Sequence, residues 1–180
     1  MKICISGSHG FIGGYLVKEC LNNNHQVIGL DNFSKYGDLK KGFESEKNFS
    51  FFNFDIKDTS KLYEILADCD HFIAGAAMIG GISYFHEYAY DLLAENERIL
   101  ASSFDAAIKA FKNDKLKKIT VISSSMVFEN SKNFPTPEGD ELNSPPPFST
   151  YGFQKLSSEF FCRGALQQYG LPYTIIRPFN

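Results

Sequence analysis

The opening of the chain restricts its fold more than any other stretch. Lys2-Ile-Cys-Ile-Ser runs as a short apolar segment into Gly7-Ser-His-Gly-Phe-Ile-Gly13, and a helical pattern follows. Gly7, Gly10 and Gly13 are spaced G-x-x-G-x-x-G, and each has a separate physical use. Gly7 suits a tight turn at positive φ, Gly10 the close approach of backbone to a pyrophosphate, and Gly13 the close packing of helix on strand. A phosphate placed there meets the free N–H groups and positive dipole end of the helix, which adds the first-turn residues Phe11 and Ile12 to the candidate contacts. A glycine triplet alone is equally compatible with a strand-to-helix turn that binds nothing, so the deciding residues lie further on.

Asp31 closes the next apolar run, Gln26-Val-Ile-Gly-Leu-Asp, roughly 20 residues past the glycines, where a carboxylate accepts from a ribose 2′-hydroxyl. The same carboxylate repels a 2′-phosphate, which points to NAD rather than NADP. Asn32 is its neighbour in the site, and an ordinary turn aspartate is the competing reading. His9, inside the glycine loop, is a candidate phosphate contact.

Apolar runs at Ile3–Ser6, Gln26–Leu30, Phe49–Phe54, His71–Gly75, Ile119–Ser123 and Tyr173–Arg177 alternate with helical patterns at Phe11–Asn22, Thr59–Ala67, Tyr90–Lys112 and Tyr151–Tyr169. Alternation of this kind implies right-handed crossovers and an α/β domain: a doubly wound parallel sheet of about six strands covered on both faces. At 180 residues the chain suits one domain. Its net charge of −3, with scattered lysines, argues against nucleic acid. Four dispersed cysteines, no membrane-length apolar run and no leader before the first strand suggest a cytoplasmic protein with free thiols. No histidine has carboxylate or cysteine partners at metal-ligand spacing.

Ligands of such sheets bind beyond the carboxyl ends of the strands. There the third strand offers Asp55 and Ile56, for an adenine amino group and ring, although Asp55 and Asp58 also suit capping of the helix from Thr59. The fourth offers small residues, Ala76 and Ala77, that admit a ring or ribose closely. His86, among aromatic residues, reads as structural. Asn96 interrupts the apolar stripe of the long helix, and a buried amide there needs partners such as loop carbonyls.

The fifth strand ends in Ser123-Ser-Ser-Met-Val-Phe128, and after a proline-rich loop a helix opens with Ser149-Thr-Tyr-Gly-Phe-Gln-Lys155. Tyr151 and Lys155, four apart, share one helix face. A free phenol has a pKa of about 10, and an adjacent ammonium favours the phenolate, so Tyr151 is the candidate base for a substrate hydroxyl. Lys155 also suits a nicotinamide ribose, and Ser124 suits orienting the substrate oxygen. A Tyr-x-x-x-Lys pattern is common on any helix, and its meaning here comes from the glycine loop, Asp31 and the serines.

These motifs, with Asp55-Ile-Lys-Asp58 and Arg177-Pro-Phe-Asn180, resemble in order the extended short-chain dehydrogenase/reductase superfamily, within it the NAD-dependent epimerase/dehydratase family that acts on nucleotide sugars. The resemblance spans the whole chain. It implies a Rossmann-type fold, NAD as cofactor and a nucleotide-sugar substrate. It makes Ser124, Tyr151 and Lys155 the catalytic residues, with Ser125 and Asn180 substrate contacts and Ala76, Ala77 and Asn96 beside the cofactor. It also implies a homodimer through the helices at Tyr90–Lys112 and Tyr151–Tyr169. Family members continue past Arg-Pro-Phe-Asn into a smaller substrate lobe, which these residues are expected to lack. Ser8-His9 and Phe128-Glu129 depart from the family pattern. Two other readings stay open: an NAD-binding module without turnover, and an extended-type reductase acting on a non-sugar substrate.

Overall fold

The computed structural model describes residues 1–179, without the side chains of Ile82, Phe85 and His86, so the readings made of Asn180 and His86 lie outside the described residues. The chain alternates β1 (Lys2–Ser6), α1 (Phe11–Asn22), β2 (Gln26–Asp31), β3 (Phe49–Asn53), α2 (Thr59–Leu66), β4 (His71–Ala74), α3 (Ile82–Glu87), α4 (Ala89–Asn113), β5 (Lys118–Ile122), α5 (Thr150–Tyr169) and β6 (Tyr173–Ile176). All six strands are parallel, in the order β3-β2-β1-β4-β5-β6. The order reverses between β1 and β4, so the loops leaving these strands diverge and open a crevice between them.

Alternation along each strand divides the core. Cys4, Phe72, Ile119 and Val121 face α2, α4 and α5 in one cluster, whereas Ile3, Ile5, Val27 and Ile73 face α1 with Phe43, Phe49 and Phe51 in another. The α1-side cover thins toward β6, where Ile176 is 41% exposed, so the expectation of a sheet covered on both faces holds fully only over the strands near α1. No helix among the described residues is long and apolar enough to cross a membrane.

Helix ends follow local chemistry. Asp58 caps α2 by accepting from the Lys61 N–H at 3.1 Å. Asp55 does not cap that helix: its Oδ1 accepts from the Lys57 N–H at 3.0 Å, closing a turn one step earlier. Ser149 caps α5 through the Gly152 N–H at 3.0 Å, as the prolines up to Pro147 prevent an earlier start. Helix α3 was not expected, because six residues show too little periodicity to separate a helix from a loop.

The glycine loop is packed backbone on backbone. Gly7 has φ +72°, and a Cβ on it would lie 2.9 Å from the Gly75 carbonyl oxygen. A Cβ on Gly13 would lie 1.9 Å from the Gly7 carbonyl oxygen, a contact that no rotamer relieves. Gly13→Ala must therefore push α1 off the loop, and urea denaturation should show a loss of about 3 kcal/mol; a loss below about 1 kcal/mol would show that the helix shifts freely.

Candidate active site

A continuous cleft of about 1930 Å³ runs along the carboxyl edge of the sheet, from the glycine loop and Asp31 to Ser124, Tyr151 and Lys155. At its first end, Gly10 takes the N-cap of α1 with no side-chain cap, leaving the amides at Phe11, Ile12 and Gly13 to the cleft they line. Asp31 ends β2, and its carboxylate is aimed by two backbone donors: the His9 N–H reaches Oδ2 at 3.0 Å and the Phe33 N–H reaches Oδ1 at 2.8 Å. A carboxylate has about four acceptor positions, so both oxygens keep capacity for ribose hydroxyls. Asn32 turns its Oδ1 to the Ser34 N–H at 3.0 Å and shapes the loop that follows.

His9 borders the cleft, but its side chain and that of Ser8 turn inward. Both side chains are buried, the His9 ring among Phe33, Phe43 and Phe51, with Nδ1 3.0 Å from Ser8 Oγ and Nε2 3.4 Å from Glu44 Oε1. The expected His9 phosphate contact is thus replaced by an inward anchor for the segment around Glu44.

On the other wall, Ala76 and Ala77 line the cleft as expected. Asn96 does not line it: its Oδ1 accepts from the Met78 N–H at 2.8 Å and its Nδ2 donates to the Met78 carbonyl at 2.9 Å. With one accepted and one donated bond both made to a single loop residue, this buried amide holds the loop, and the cofactor contact expected of Asn96 gives way to support from behind. Ser6, which sequence reasoning missed, does the same from β1, its Oγ accepting from the Gly75 and Ala76 N–H groups at 3.1 and 3.2 Å. Ile56 lines the cleft while largely buried in the core, and Asp55 lines it beside Lys57, whose ammonium bridges Asp55 and Glu95.

At the second end, Ser124 Oγ accepts from the Met126 N–H at 3.2 Å, so its own proton remains to be donated, and Ser125 lines the cleft next to it. A Cβ on Gly152 would lie 2.8 Å from the Met126 carbonyl oxygen, which shows how closely the first turn of α5 sits on this corner. Tyr151 lines the same cleft as the serines, with Lys155 Nζ 5.9 Å from its ring centroid. Lys155 itself is buried and donates to the Ile122 carbonyl at 2.9 Å.

Below this corner is an ion cluster that the motif reading did not include. Glu159, fully buried, accepts from Ser123 Oγ at 2.7 Å, Arg177 Nε at 2.8 Å and Arg177 Nη2 at 2.7 Å, and Arg177 Nη2 also reaches Glu141 at 2.8 Å. The signal was present in the helix register: Tyr151, Lys155, Glu159 and Arg163 are spaced by four, so the stripe that carries the first two continues into the cluster.

Burial brings the Lys155 ammonium down from its ordinary value to about 8, since one carbonyl does not replace lost water. An unfolded lysine keeps its proton to about pH 10.5 and the folded one only to about 8, so in that window the unfolded chain binds more protons and stability rises with pH. Without cofactor at pH 7, Lys155→Met is expected to be more stable than the parent by about 2 kcal/mol in urea denaturation, the gap closing as pH approaches 10.5. A variant destabilised at pH 7 would contradict a desolvated ammonium.

The comparisons with known proteins agree with this geometry. Residues 3–180 match the model of the NAD dependent epimerase/dehydratase family. A protein described as an uncharacterized UDP-glucose epimerase of Bacillus subtilis is 31% identical, the match covering 100% of this chain and 56% of that protein. The UDP-glucose 4-epimerase of Lactobacillus helveticus is 26% identical, covering 100% and 52%. Among solved structures, the UDP-glucose 4-epimerase of Thermotoga maritima with UDP-glucose superposes with a TM-score of 0.79 at 29% identity, covering 98% of this chain and 55% of that one. The UDP-glucuronic acid 4-epimerase of Bacillus cereus with UDP-glucuronic acid and NAD gives 0.81 at 28%, covering 98% and 56%. The chain thus spans about half the length of the relatives it matches. With the six-stranded parallel sheet, the glycine loop and a match over nearly every residue, the chain belongs to the NAD dependent epimerase/dehydratase family, and its cofactor is the NAD for which that family is named.

Proposed function

We propose that this chain is the cofactor-binding and catalytic part of a nucleotide-sugar epimerase or dehydratase. The observation that carries the proposal is the common cleft: Tyr151, the buried Lys155 and Ser124 line the same cavity as the glycine loop and Asp31. The names of the relatives, UDP-glucose and UDP-glucuronic acid epimerases, support the sugar class. The residues also fit the cofactor, because side chains at Gly7 or Gly13 would collide with backbone and Asp31 is pre-aimed by two amides.

In this reading the first-turn amides of α1 and Gly10 take the pyrophosphate, Asp31 accepts the adenosine ribose hydroxyls, and Asp55 and Ile56 border the adenine. When bound, NAD supplies reversible hydride acceptance from a sugar carbon. Tyr151 Oη takes the proton of the hydroxyl on that carbon. The Lys155 ammonium, 5.9 Å from the ring centroid, favours the phenolate form of Tyr151 that accepts this proton and becomes a neutral phenol, and Ser124 donates its free proton to hold the same sugar oxygen. Asn96 and Ser6 keep the opposite wall in place. A second reading, an NAD-binding module without turnover, follows from the chain spanning about half of its relatives.

Two measurements on NAD-loaded protein test the proposal. Tyr151→Phe should retain NAD affinity within about threefold while sugar-dependent reduction of the cofactor falls by at least about 100-fold. A parent chain that binds NAD but shows no sugar-dependent change in absorbance would support the module instead.

The proposal extends to a homodimer. Phe153, Phe160 and Gly164, at i, i+7 and i+11 of α5, are exposed along one face, which supports pairing of that helix with a second copy. Free thiols at all four cysteines support a reducing, cytoplasmic setting. Sedimentation equilibrium should show a dimer that Phe160→Glu converts to a monomer with NAD binding intact; a monomeric parent would refute it.

A further inference from the structure

Glu129 stands out at the sugar end of the cleft. It follows the 3-10 turn Ser125–Phe128, is exposed, and lines the cavity with Ser125, Phe148, Ser149 and Tyr151. Its carboxylate is not a loose surface group. Oε2 accepts from the Ser149 N–H at 2.9 Å and from Ser149 Oγ at 2.8 Å, while Ser149 Oγ accepts in turn from the Gly152 N–H at 3.0 Å. Ser149 is the N-cap of α5, two residues ahead of Tyr151, so the carboxylate is fixed to the turn that presents Tyr151. Both anchoring bonds fall on one oxygen, and none of the described residues donates a hydrogen bond to Oε1, which keeps its acceptor capacity.

The surrounding charges make this placement selective. Among the described residues lining the cleft, the cations are Lys35, Arg98 and Lys155. Lys35 follows Asp31, and Arg98 pairs with Glu95 near Asp55, so both belong to the cofactor end. Lys155 is buried on the Ile122 carbonyl. Arg177, behind the corner, is held by Glu159, Glu141 and Glu138. A second carboxylate brought in by a ligand would meet the like charge of Glu129, and none of the three cations that line the cleft among the described residues is placed to offset it, whereas a hydroxyl would find an acceptor.

We infer that Glu129 is a specificity-determining residue that accepts a hydroxyl of a neutral sugar and repels a sugar bearing a carboxylate. The inference rests on the nucleotide-sugar reading above and adds the substrate class: neutral hexoses rather than uronic acids. Glu129→Gln tests it, because the amide carbonyl still accepts from Ser149 and preserves the helix cap while the charge is removed.

The experiment is calorimetric titration of the NAD-saturated chain with UDP-glucose and with UDP-glucuronic acid, using parent and variant, with NAD affinity as the check on folding. The parent should favour UDP-glucose by about tenfold or more, and the variant should bring the two ligands within about threefold, mainly by tighter uronate binding. Equal affinity for the two sugars in the parent, or an unchanged ratio in the variant, would overturn the role of Glu129. Binding of NAD with no binding of either sugar to either protein would instead overturn the nucleotide-sugar reading, and this inference with it.

Discussion

A carboxylate with no solvent exposure has to be compensated by its neighbours, and the position of the corner that carries Ser124, Tyr151 and Lys155 depends on how Glu159 meets that requirement. Three donors converge on it, one from Ser123 at the end of β5 and two from Arg177 just past β6, while Glu159 itself belongs to α5. One side chain therefore ties together two neighbouring strands and the helix packed beside them. Ser124 is the next residue after Ser123, and Lys155 lies one turn before Glu159, so the groups that face the cleft hang directly from this node. Removing one partner of such a pair leaves a buried charge and typically costs about 3–5 kcal/mol.

The same node accounts for the long connection between β5 and α5. Loops beyond about 12–15 residues are uncommon in compact domains unless they are functional or tied down. This one is fastened at several points: Arg177 and Arg163 hold Glu141, Asp140 accepts from Asn133 and Ser144, and Glu129 is bound to Ser149. Arg177 also packs its guanidinium 5.1 Å from the centre of the Phe128 ring. The loop thus returns to the start of α5 with Tyr151 lining the same cleft as Ser124, and closure there is tight enough that only glycine fits at position 152.

The fold was legible because its signals are local and redundant. Alternating apolar runs mark the strands, α1 begins and ends where its pattern does, and the ends of the other elements differ from expectation by a residue or two. The residues that line the cleft were legible for a related reason: Gly7, Asp31, Ala76 and Ser124 stand at or just past strand ends, which the α/β pattern locates, while Gly13 belongs to the glycine spacing and Tyr151 and Lys155 to a four-residue helix spacing. What escaped were contacts joining positions far apart in the chain. Ser6 with Gly75, Asn96 with Met78, and Glu159 with Arg177 are tertiary pairs, and no periodicity within one segment encodes a partner in another. Asn96 is instructive, since its need for polar partners was evident from the stripe it interrupts while its actual partner was not.

His9 shows why a departure from a motif need not alter the surface that the motif builds. A bulky residue inside a glycine loop suggests crowding where a phosphate would lie. Yet the loop meets the cleft through its backbone, and the side chains at positions 8 and 9 turn to the opposite side. There Gly29 leaves room for them: a Cβ on Gly29 would lie 2.7 Å from Ser8 Oγ and equally close to the Phe49 ring. The enlarged residues are thus accommodated by a glycine in β2 and by three phenylalanines around the imidazole. The His9 amide meanwhile still points at Asp31, because that bond belongs to the main chain. Substitution at this position changes what fastens the loop from within and leaves the outward-facing amides and the Asp31 carboxylate in the arrangement a dinucleotide requires.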